Sequence, residues 1–239
     1  MSIPRFVLPD SITPVENAVL PLGAELIKHL LALRLAPGDS LEINTPPGIW
    51  RAELASLSKH SASIRLVGPI NENREAPVEI HACLPITARL GLWDDFLPGA
   101  VELGATLIQP VVYERSQYDK RKVDARMERW RRIILTACEQ SHRTRIPVLN
   151  SPVPVISLQS WDAKQRWVAY EVKTREPNPR LTLESFAFTH GPEGGIADAE
   201  IELLLRSGWK PIFLGKSILR AATCPAAILG AVQLELGRY

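Results

Sequence analysis

Cysteines are few in this sequence, and long apolar runs and the common catalytic signatures are missing. Cys83, Cys138 and Cys224 are well separated and lack the spacing of metal ligands, which indicates buried thiols in a reducing compartment and predicts a cytoplasmic protein. No apolar run approaches the length of a membrane span, and the first residues lack the apolar core of a signal peptide. Without a nucleophile elbow, a Walker loop or zinc-ligand spacing, neither those enzyme classes nor a metal site is expected.

The composition is that of a globular protein whose charge is unevenly distributed. The chain has 239 residues, of which 46% are apolar and 23% are charged. This length allows one large domain or two smaller ones, and the composition excludes wholesale disorder. The formal net charge is only +2, yet residues 120–145 carry nine Lys or Arg against three acids. Such a basic block favours a polyanionic partner, unless it is simply the solvated face of a helix.

The first part of the chain has short strand-like runs at close spacing around a single helix, separated by turn residues. Residues 1–68 are therefore predicted to form a small β-barrel. The polar residues 69–77, which bury little, are predicted to be a linker. The predicted elements are strands at 5–8, 40–43, 49–54 and 61–67 and a helix at 24–33.

From residue 78 to residue 239, strands alternate with amphipathic helices, which predicts an α/β domain with a mostly parallel sheet. In the longest helix, predicted over 119–143, apolar residues recur at three- and four-residue steps and leave basic side chains on the other faces. That stripe consists of Val123, Met127, Trp130, Ile134 and Ala137. The other predicted elements are strands at 80–84, 106–112, 148–149, 167–171, 185–188 and 211–214 and helices at 93–103, 197–205 and 223–236. For residues 150–166 the pattern predicts no definite structure.

Two glycine-containing turns each follow a strand and precede a helix. The first is Thr-His-Gly-Pro-Glu-Gly-Gly at 189–195, and the second contains Leu214-Gly215 and Ile218-Leu219-Arg220. Glycine permits positive φ and a close approach of ligand to backbone, and the helix that follows presents free N–H groups. In consecutive βα units such turns meet at the carboxyl edge of a parallel sheet, where ligands bind in open α/β folds. They predict a ligand site, the alternative being two tight connections.

Three polar residues of these turns are candidates for chemistry, and each has an alternative role. His190 is either a base or a loop residue that is hydrogen-bonded to backbone. Glu193, placed between Pro and Gly, either turns into the crevice or caps the following helix. Arg220 either contacts a phosphate or substrate or forms a salt bridge.

Short motifs follow one another in a characteristic order along nearly the whole chain. They are Arg5-Phe6-Val7, Leu33-Arg34, Pro37-Gly38-Asp39, Glu102-Leu103-Gly104, Ile108-Gln109-Pro110, Arg115-Ser116, Arg129-Trp130, Ala137-Cys138-Glu139-Gln140-Ser141, Gly191-Pro192-Glu193-Gly194-Gly195, Leu214-Gly215 and Ile218-Leu219-Arg220. Each motif alone is weak, but their order and spacing together are specific. The chain resembles the RsmE-type small-subunit ribosomal RNA uridine-N3 methyltransferases, a branch of the SPOUT superfamily of knotted methyltransferases.

The resemblance implies an N-terminal PUA-like barrel for RNA, a C-terminal α/β domain tied in a trefoil knot, and a homodimer. It also implies methyl transfer from S-adenosylmethionine to N3 of a uridine in small-subunit (16S) ribosomal RNA. Residues expected to bind the cofactor are His190, Gly191, Pro192, Gly194, Gly195, Leu214, Gly215, Ile218 and Leu219. Residues expected to contact RNA are Arg5, Arg34, Arg115, Ser116, Arg129 and Arg132. Arg220 is expected to favour the developing uridine anion, and either Glu193 or His190 to receive the N3 proton.

The chain departs from the family pattern at several polar positions. Pro98-Gly99 stands where the family has Gln-Lys, Ser217 stands where it has Arg, and Ala221-Ala222 stands where it has Thr-Glu. The glycine loops are retained. An alternative interpretation is therefore a homologue that binds RNA or the ribosome without turnover, or one that methylates a different RNA nucleotide.

Overall fold

The computed structural model describes residues 3–8, 13–45, 48–170 and 177–237. The chain forms two compact units. One consists of Met1–Arg74 with His142–Thr144, and the other of Glu75–Ser141 with Arg145–Tyr239. Within the described ranges, no helix is both long enough and apolar enough to cross a membrane.

The N-terminal unit is a five-stranded sheet with one helix. Its sheet order is β1-β3-β4-β5-β2, in which β1 and β3 are parallel and the other neighbours antiparallel. The helix packs its buried residues Ile27 and Leu30 into an apolar core with Phe6, Leu41 and Ile64. The elements are β1 Arg5–Val7, β2 Val19–Pro21, α1 Ala24–Ala32, β3 Ser40–Thr45, β4 Gly48–Leu57 and β5 Ala62–Ile70. The predicted strands and helix are confirmed, and β2 is an additional strand of three residues.

The predicted linker begins inside a strand, so its start at residue 69 is wrong. Pro69 and Ile70 belong to β5 and pair with Trp50 and Ile49 of β4. A register shift between Arg51 and Ala52 lies next to this pairing, and such irregularities are where a sheet tolerates proline. The boundary between the two units instead follows Arg74.

Arg5 was expected to contact RNA, but the structure buries it in an ion-pair cluster. Its side chain is only 1% exposed, and its Nη2 lies 2.8 Å from the Glu42 carboxylate and 2.6 Å from the Glu72 carboxylate. Nη1 donates to the carbonyl oxygen of His142, which belongs to the same unit. The pKa of the Glu72 carboxyl is lowered, mainly by its hydrogen bond from Arg5 and to a smaller extent by the one from Arg74. Arg5 therefore holds this unit together, and its burial with all three nitrogens already donating keeps it from a phosphate.

We expect Arg5→Met to destabilise the protein by about 3 kcal/mol, because it leaves two carboxylates facing each other without their common cation. The matched control is Arg34→Met, which removes an exposed guanidinium and should change stability by less than about 0.5 kcal/mol. Unfolding measured by calorimetry compares the two variants. Equal stability of Arg5→Met and the wild type would show that the cluster does not support the fold.

The C-terminal unit is an α/β structure with a seven-stranded sheet in which every recorded pairing is parallel. Its sheet order is β12-β10-β11-β6-β7-β8, with β9 also paired to β7. Its strands are β6 Ile80–Pro85, β7 Leu107–Val112, β8 Val148–Leu149, β9 Val153–Pro154, β10 Gln165–Ala169, β11 Phe186–His190 and β12 Lys210–Ile212. Its helices are α2 Leu92–Glu102, α3 Lys120–Ser141, a short 3-10 helix Val155–Ser160, α4 Asp198–Arg206 and α5 Cys224–Leu236. The prediction of a mostly parallel sheet is confirmed.

The long basic helix α3 packs on α2 through its predicted apolar stripe. The whole stripe is buried, and the ring of Trp130 stacks on Trp93 of α2 at 4.5 Å between centroids. The interpretation of Trp130 as a core residue is therefore confirmed. The helix ends at Ser141, two residues earlier than predicted, because His142 has a left-handed φ of 57° that stops the helical hydrogen bonding.

Two further boundaries differ from the sequence prediction. The helix predicted over 93–103 is α2, which begins and ends one residue earlier and contains Pro98 in its interior. The last predicted strand was placed at 211–214, but β12 ends at Ile212 and leaves Phe213 and Leu214 in the following loop. Residue 171, the end of another predicted strand, lies outside the described residues.

Candidate active site

A cleft of about 1110 Å³ opens at the carboxyl edge of the C-terminal sheet. The segments that follow β6, β7, β11 and β12 form its walls. Every residue that was expected to serve catalysis or cofactor binding lines this cleft. These residues are Glu193, Arg220, His190, Gly191, Pro192, Gly194, Gly195, Leu214, Gly215, Ile218 and Leu219. The two glycine turns therefore face one cavity, although β12 and α4 separate them in the chain.

The first glycine loop is packed so closely that side chains are excluded from it. A Cβ atom on Gly191 would lie 2.9 Å from Cγ1 of Ile196 and 3.0 Å from the carbonyl carbon of Gly195. Gly195 has a φ of 76°, and its N–H donates to the Pro192 carbonyl at 2.8 Å. The loop folds back on its own backbone in a geometry that requires glycine at its first and last positions.

His190 ends β11 and is 2% exposed. Its Nδ1 lies 2.9 Å from the carbonyl oxygen of Gly191, to which it donates in the neutral tautomer, and its ring packs edge-on against Phe96. Burial lowers the pKa of His190 to about 4, so the ring is uncharged at neutral pH. Nε2 is buried and has no hydrogen-bond partner among the described residues. The ring shapes the wall of the cleft, and it is a poor base.

The structure favours the crevice over the helix cap as the role of Glu193. This side chain is exposed on the cleft, where Oε2 accepts the N–H of Ala88 at 3.2 Å. The helix cap is provided by Glu200, whose Oε2 accepts the Ala197 N–H at 3.0 Å. Its other oxygen accepts the Glu114 N–H at 2.7 Å, which ties the loop after β7 to the start of α4.

Arg115, expected to contact RNA, lies in the same cleft and contacts the first glycine loop. Its Nη1 donates to the Gly194 carbonyl at 2.9 Å. A Cβ on Gly194 would lie 3.1 Å from the Cβ of Arg115, so the missing side chain permits this approach. The neighbouring Ser116 closes the turn after β7, because its Oγ accepts the Tyr113 N–H at 3.1 Å. Arg115 is therefore available to a ligand in the cleft, whereas Ser116 has a local structural partner.

The second loop carries exposed residues into the cleft and ends at α5. Gly215 has a φ of 116°, and the Ile218 side chain is 76% exposed. Arg220 is also exposed, and its carbonyl accepts the N–H groups of Thr223 and Cys224, which places its side chain directly before the helix. Among the described residues Arg220 forms no ion pair, which favours a ligand contact over the salt-bridge alternative.

Sequence reasoning missed two contributors to the cleft. Asn178 fixes the start of the second loop, since its side chain donates to the Phe213 carbonyl at 2.9 Å and accepts the Phe213 N–H at 2.8 Å. Arg89 lines the cleft from the segment after β6. No local pattern marks Asn178, because its partner lies 35 positions later in the chain.

The remaining residues expected to contact RNA lie outside the cleft. Arg129 donates from Nε and Nη2 to the Asp94 carboxylate, at 3.1 and 2.9 Å, so part of its hydrogen-bonding capacity is already used. Arg132 is exposed on α3, and Arg34 is exposed in the N-terminal unit with a φ of 58°. In the part of the chain that the structure describes, no cluster of His, Cys, Asp or Glu could hold a metal ion.

Comparison with known proteins places this arrangement among RNA-modifying enzymes. A family model described as an RNA methyltransferase domain matches residues 74–233. A ribosomal RNA small subunit methyltransferase E from Synechocystis sp. is 31% identical, and the match covers 96% of this chain and 77% of that protein. The protein of the same name from Bacillus subtilis is 29% identical, with 92% and 91% covered.

Solved structures give the same result for the fold. A methyltransferase from Legionella pneumophila in complex with the bound cofactor SAM superposes with a TM-score of 0.87 at 27% identity, over 98% of both chains. A ribosomal RNA small subunit methyltransferase E from Neisseria gonorrhoeae bound to S-adenosyl methionine gives 0.84 at 28% identity, also over 98% of both chains. Both similarities include the N-terminal as well as the C-terminal unit.

We expect Gly191→Ala to weaken S-adenosylmethionine binding by at least about tenfold, because the added Cβ would lie 2.9 Å from Cγ1 of Ile196 and 3.0 Å from the backbone of Gly195, so the loop itself would have to shift. The control is Gly99→Ala within α2, where a Cβ meets nothing within 4 Å and alanine favours the helix. Calorimetric titration of both variants with S-adenosylmethionine, together with their melting temperatures, provides the measurement. Wild-type affinity in Gly191→Ala would place the cofactor away from this loop.

Proposed function

This chain belongs to the RNA methyltransferase family, and we propose that, like the ribosomal RNA small subunit methyltransferase E proteins to which it is similar, it acts on small-subunit (16S) ribosomal RNA and methylates N3 of a uridine there. It is an S-adenosylmethionine-dependent methyltransferase. The observation that carries the proposal is the meeting of two glycine loops and three arginines in one cleft. We further propose that the enzyme acts in the cytoplasm.

The residues of the cleft fit S-adenosylmethionine. Tight glycine turns let backbone N–H and carbonyl groups of residues 191–195 and 214–219 approach a ligand closely. The cofactor carries positive and negative groups, and the cleft is lined by negative side chains, Asp95 and Glu193, and by the positive Lys216. When bound, the cofactor supplies an electrophilic methyl group, and the protein's task is to orient the uridine and to manage its proton.

The proton on uridine N3 must leave before the nitrogen can act as a nucleophile. Arg220, exposed and without an acidic partner among the described residues, is placed to stabilise the resulting anion through its guanidinium. Of the two proton acceptors that the sequence left open, the structure favours Glu193. Its carboxylate is exposed in the cleft, whereas Nε2 of His190 is buried. The hydrogen bond from the Ala88 N–H to Oε2 also fixes the orientation of the Glu193 carboxylate.

The proposal includes the two architectural features that the resemblance implies. The first is a trefoil knot in the C-terminal unit. It is supported by the two glycine loops, which lie before and after β12 in the chain but line the same cleft. The second is a PUA-like barrel in the N-terminal unit, supported by a five-stranded sheet whose long strand β4 has two register shifts against β5. Such irregularities bend a strand and allow a small sheet to curl.

We also propose a homodimer that uses the exposed face of α5. This helix is apolar on nearly every side, but only one side packs into the core, through residues such as Ile228, Leu229 and Val232. The opposite side exposes Ala226, Ala231 and Leu234, the last at 74%. Small residues on an exposed helix face let a second helix approach closely.

Methylation is tested by incubating the protein with S-adenosylmethionine and small-subunit RNA from cells that lack this enzyme. We expect mass spectrometry to find 3-methyluridine at one position. Glu193→Gln keeps an acceptor for the Ala88 N–H but cannot take a proton, so its single-turnover rate should fall by about 10²-fold or more.

Glu193→Ala is the companion variant, because it removes both the acceptor and the bridge to Ala88. If Glu193→Gln keeps the wild-type rate while Glu193→Ala loses it, Glu193 acts only as a bridge between loops. If the wild type binds RNA but forms no methylated nucleoside, the protein is the binding factor that the sequence left open. A different methylated nucleoside would correct the target.

The dimer is tested by Leu234→Glu, which places a charge on the exposed apolar face of α5 without touching the core. Sedimentation should give about twice 26.5 kDa for the wild type at micromolar concentration and the single-chain mass for the variant. Leu205→Glu, at a leucine of α4 that is 40% exposed, is the control and should stay dimeric. A wild type that sediments as a single chain contradicts the proposal.

A further inference from the structure

Three exposed arginines line the cleft, and none of them has an acidic partner among the described residues. Arg89, Arg115 and Arg220 project from the segments after β6, β7 and β12. In the described parts of the chain, no carboxylate lies within ion-pair distance of any of these guanidinium groups. By contrast, Arg129 on α3 pairs with Asp94 at 2.9 Å, and Arg206 on α4 pairs with Glu202 at 3.1 Å. Although Asp95, Glu193 and Asp198 also line the cleft, none of them pairs with these arginines, so the three guanidinium groups keep donors free for a ligand.

Two of these arginines are connected to consecutive residues of the first glycine loop. Arg115 donates to the Gly194 carbonyl at 2.9 Å. Arg89 directly follows Ala88, whose N–H is held by the Glu193 carboxylate at 3.2 Å. In addition, β6 and β7 are neighbouring parallel strands about 4.8 Å apart, so the segments at their carboxyl ends leave the sheet side by side. The two arginines thus share one side of the cleft.

Arg220 approaches from the other side of the cleft. It follows β12, which is separated from β6 in the sheet by β10 and β11. The first glycine loop, which follows β11, lies between the two groups. This separation provides two positive sites with different roles, one beside the reacting base and one at a distance from it.

The donors of Arg89 and Arg115 suit a phosphate. Arg115 uses Nη1 for the glycine loop, which leaves Nε and Nη2 to donate. A guanidinium fork matches two oxygens of a phosphate, and such charge-assisted hydrogen bonds are among the strongest that proteins form. The volume of about 1110 Å³ is larger than the roughly 300–1,000 Å³ usual for a single small ligand, so the cleft has room for a nucleotide beside the cofactor.

We propose that Arg89 and Arg115 form a phosphate subsite, which binds the phosphodiester of the RNA chain next to the nucleotide that enters the cleft. The inference rests on the proposed function, since its ligand is the RNA backbone flanking the target uridine. Because Arg115 is hydrogen-bonded to the glycine loop, the subsite fixes the RNA backbone at a set position relative to that loop. Its specificity is for a phosphate and does not depend on the base.

The test measures whether these arginines recognise a charged linkage. The probe is a single-stranded uridine pentanucleotide, prepared with natural phosphodiesters or with uncharged methylphosphonates on both sides of the central uridine. Binding is measured by calorimetry in the presence of S-adenosylhomocysteine, so that no reaction occurs. For the wild type, we expect the uncharged linkages to weaken binding by about tenfold.

The double variant Arg89→Ala/Arg115→Ala should bind the natural probe about tenfold more weakly and should no longer distinguish it from the uncharged probe. Arg206→Ala loses the same type of charge outside the cleft and should behave as the wild type. If the double variant still discriminates about tenfold between the two probes, the subsite is refuted.

Two comparisons separate a direct contact from other effects. The Arg115 side chain donates to the glycine loop, whereas the Arg89 side chain forms no such bond among the described residues. Arg89→Ala alone should therefore reduce the discrimination by about threefold with unchanged S-adenosylhomocysteine affinity. If Arg89→Ala distinguishes the charged from the uncharged probe as well as the wild type does, Arg89 is not part of the subsite. A cytidine pentanucleotide should show the same linkage effect as the uridine one. Because this readout needs neither turnover nor the correct base, failure to form 3-methyluridine would refute the proposed function without deciding the phosphate subsite.

Discussion

The cleft depends on one buried hydroxyl group beneath it. Oγ1 of Thr189, in β11, donates to the Cys83 carbonyl of β6 at 2.8 Å and lies 2.7 Å from the hydroxyl of Tyr113, which follows β7. Thr189 has a single hydroxyl hydrogen, so Tyr113 must be the donor in the second bond. Burial raises the pKa of Tyr113 far above its usual value and keeps that donor protonated. Three neighbouring strands are thus held in register immediately below the glycine loop and the segments that carry Arg89 and Arg115.

Local patterns predicted the features that depend on residues close in sequence. The apolar stripe of α3 is buried as its spacing predicted, and the strand–glycine–helix order correctly indicated a cleft at the carboxyl edge of the sheet. The patterns failed where a partner lies far along the chain. Arg5 is buried because Glu42, Glu72 and the carbonyl of His142 surround it, the last at a separation of 137 residues. The strand β2 was missed for a related reason, since its three residues pair only with β5 and carry no periodicity of their own.

Pairing within the fold changes how the arginines should be interpreted. The sequence draws attention to the basic helix α3, where charges are most dense. In the structure, Arg126 and Arg129 both approach Asp94 of α2, and Arg131 approaches Glu128. These two carboxylates therefore partly neutralise the positive charge of the three arginines. Exposed pairs of this kind contribute little to stability, but they reduce the positive field available to a polyanion. Density of charge in the sequence therefore does not by itself mark an RNA contact, and on this helix Arg121 and Arg132 are the arginines that lie outside the ion pairs of the described residues.

The same argument bears on the residues in which this chain departs from the family pattern. Where the family has Thr-Glu after its Ile-Leu-Arg motif, this chain has Ala221-Ala222, and both alanines pack against the apolar core of the C-terminal unit. The substitution removes a carboxylate next to Arg220 and leaves the backbone of the loop in place. An arginine without a neighbouring carboxylate keeps its N–H donors free for an anionic group in the cleft. The loss of polar residues at this position is therefore compatible with turnover, because it removes a competitor for Arg220 and spares the guanidinium itself.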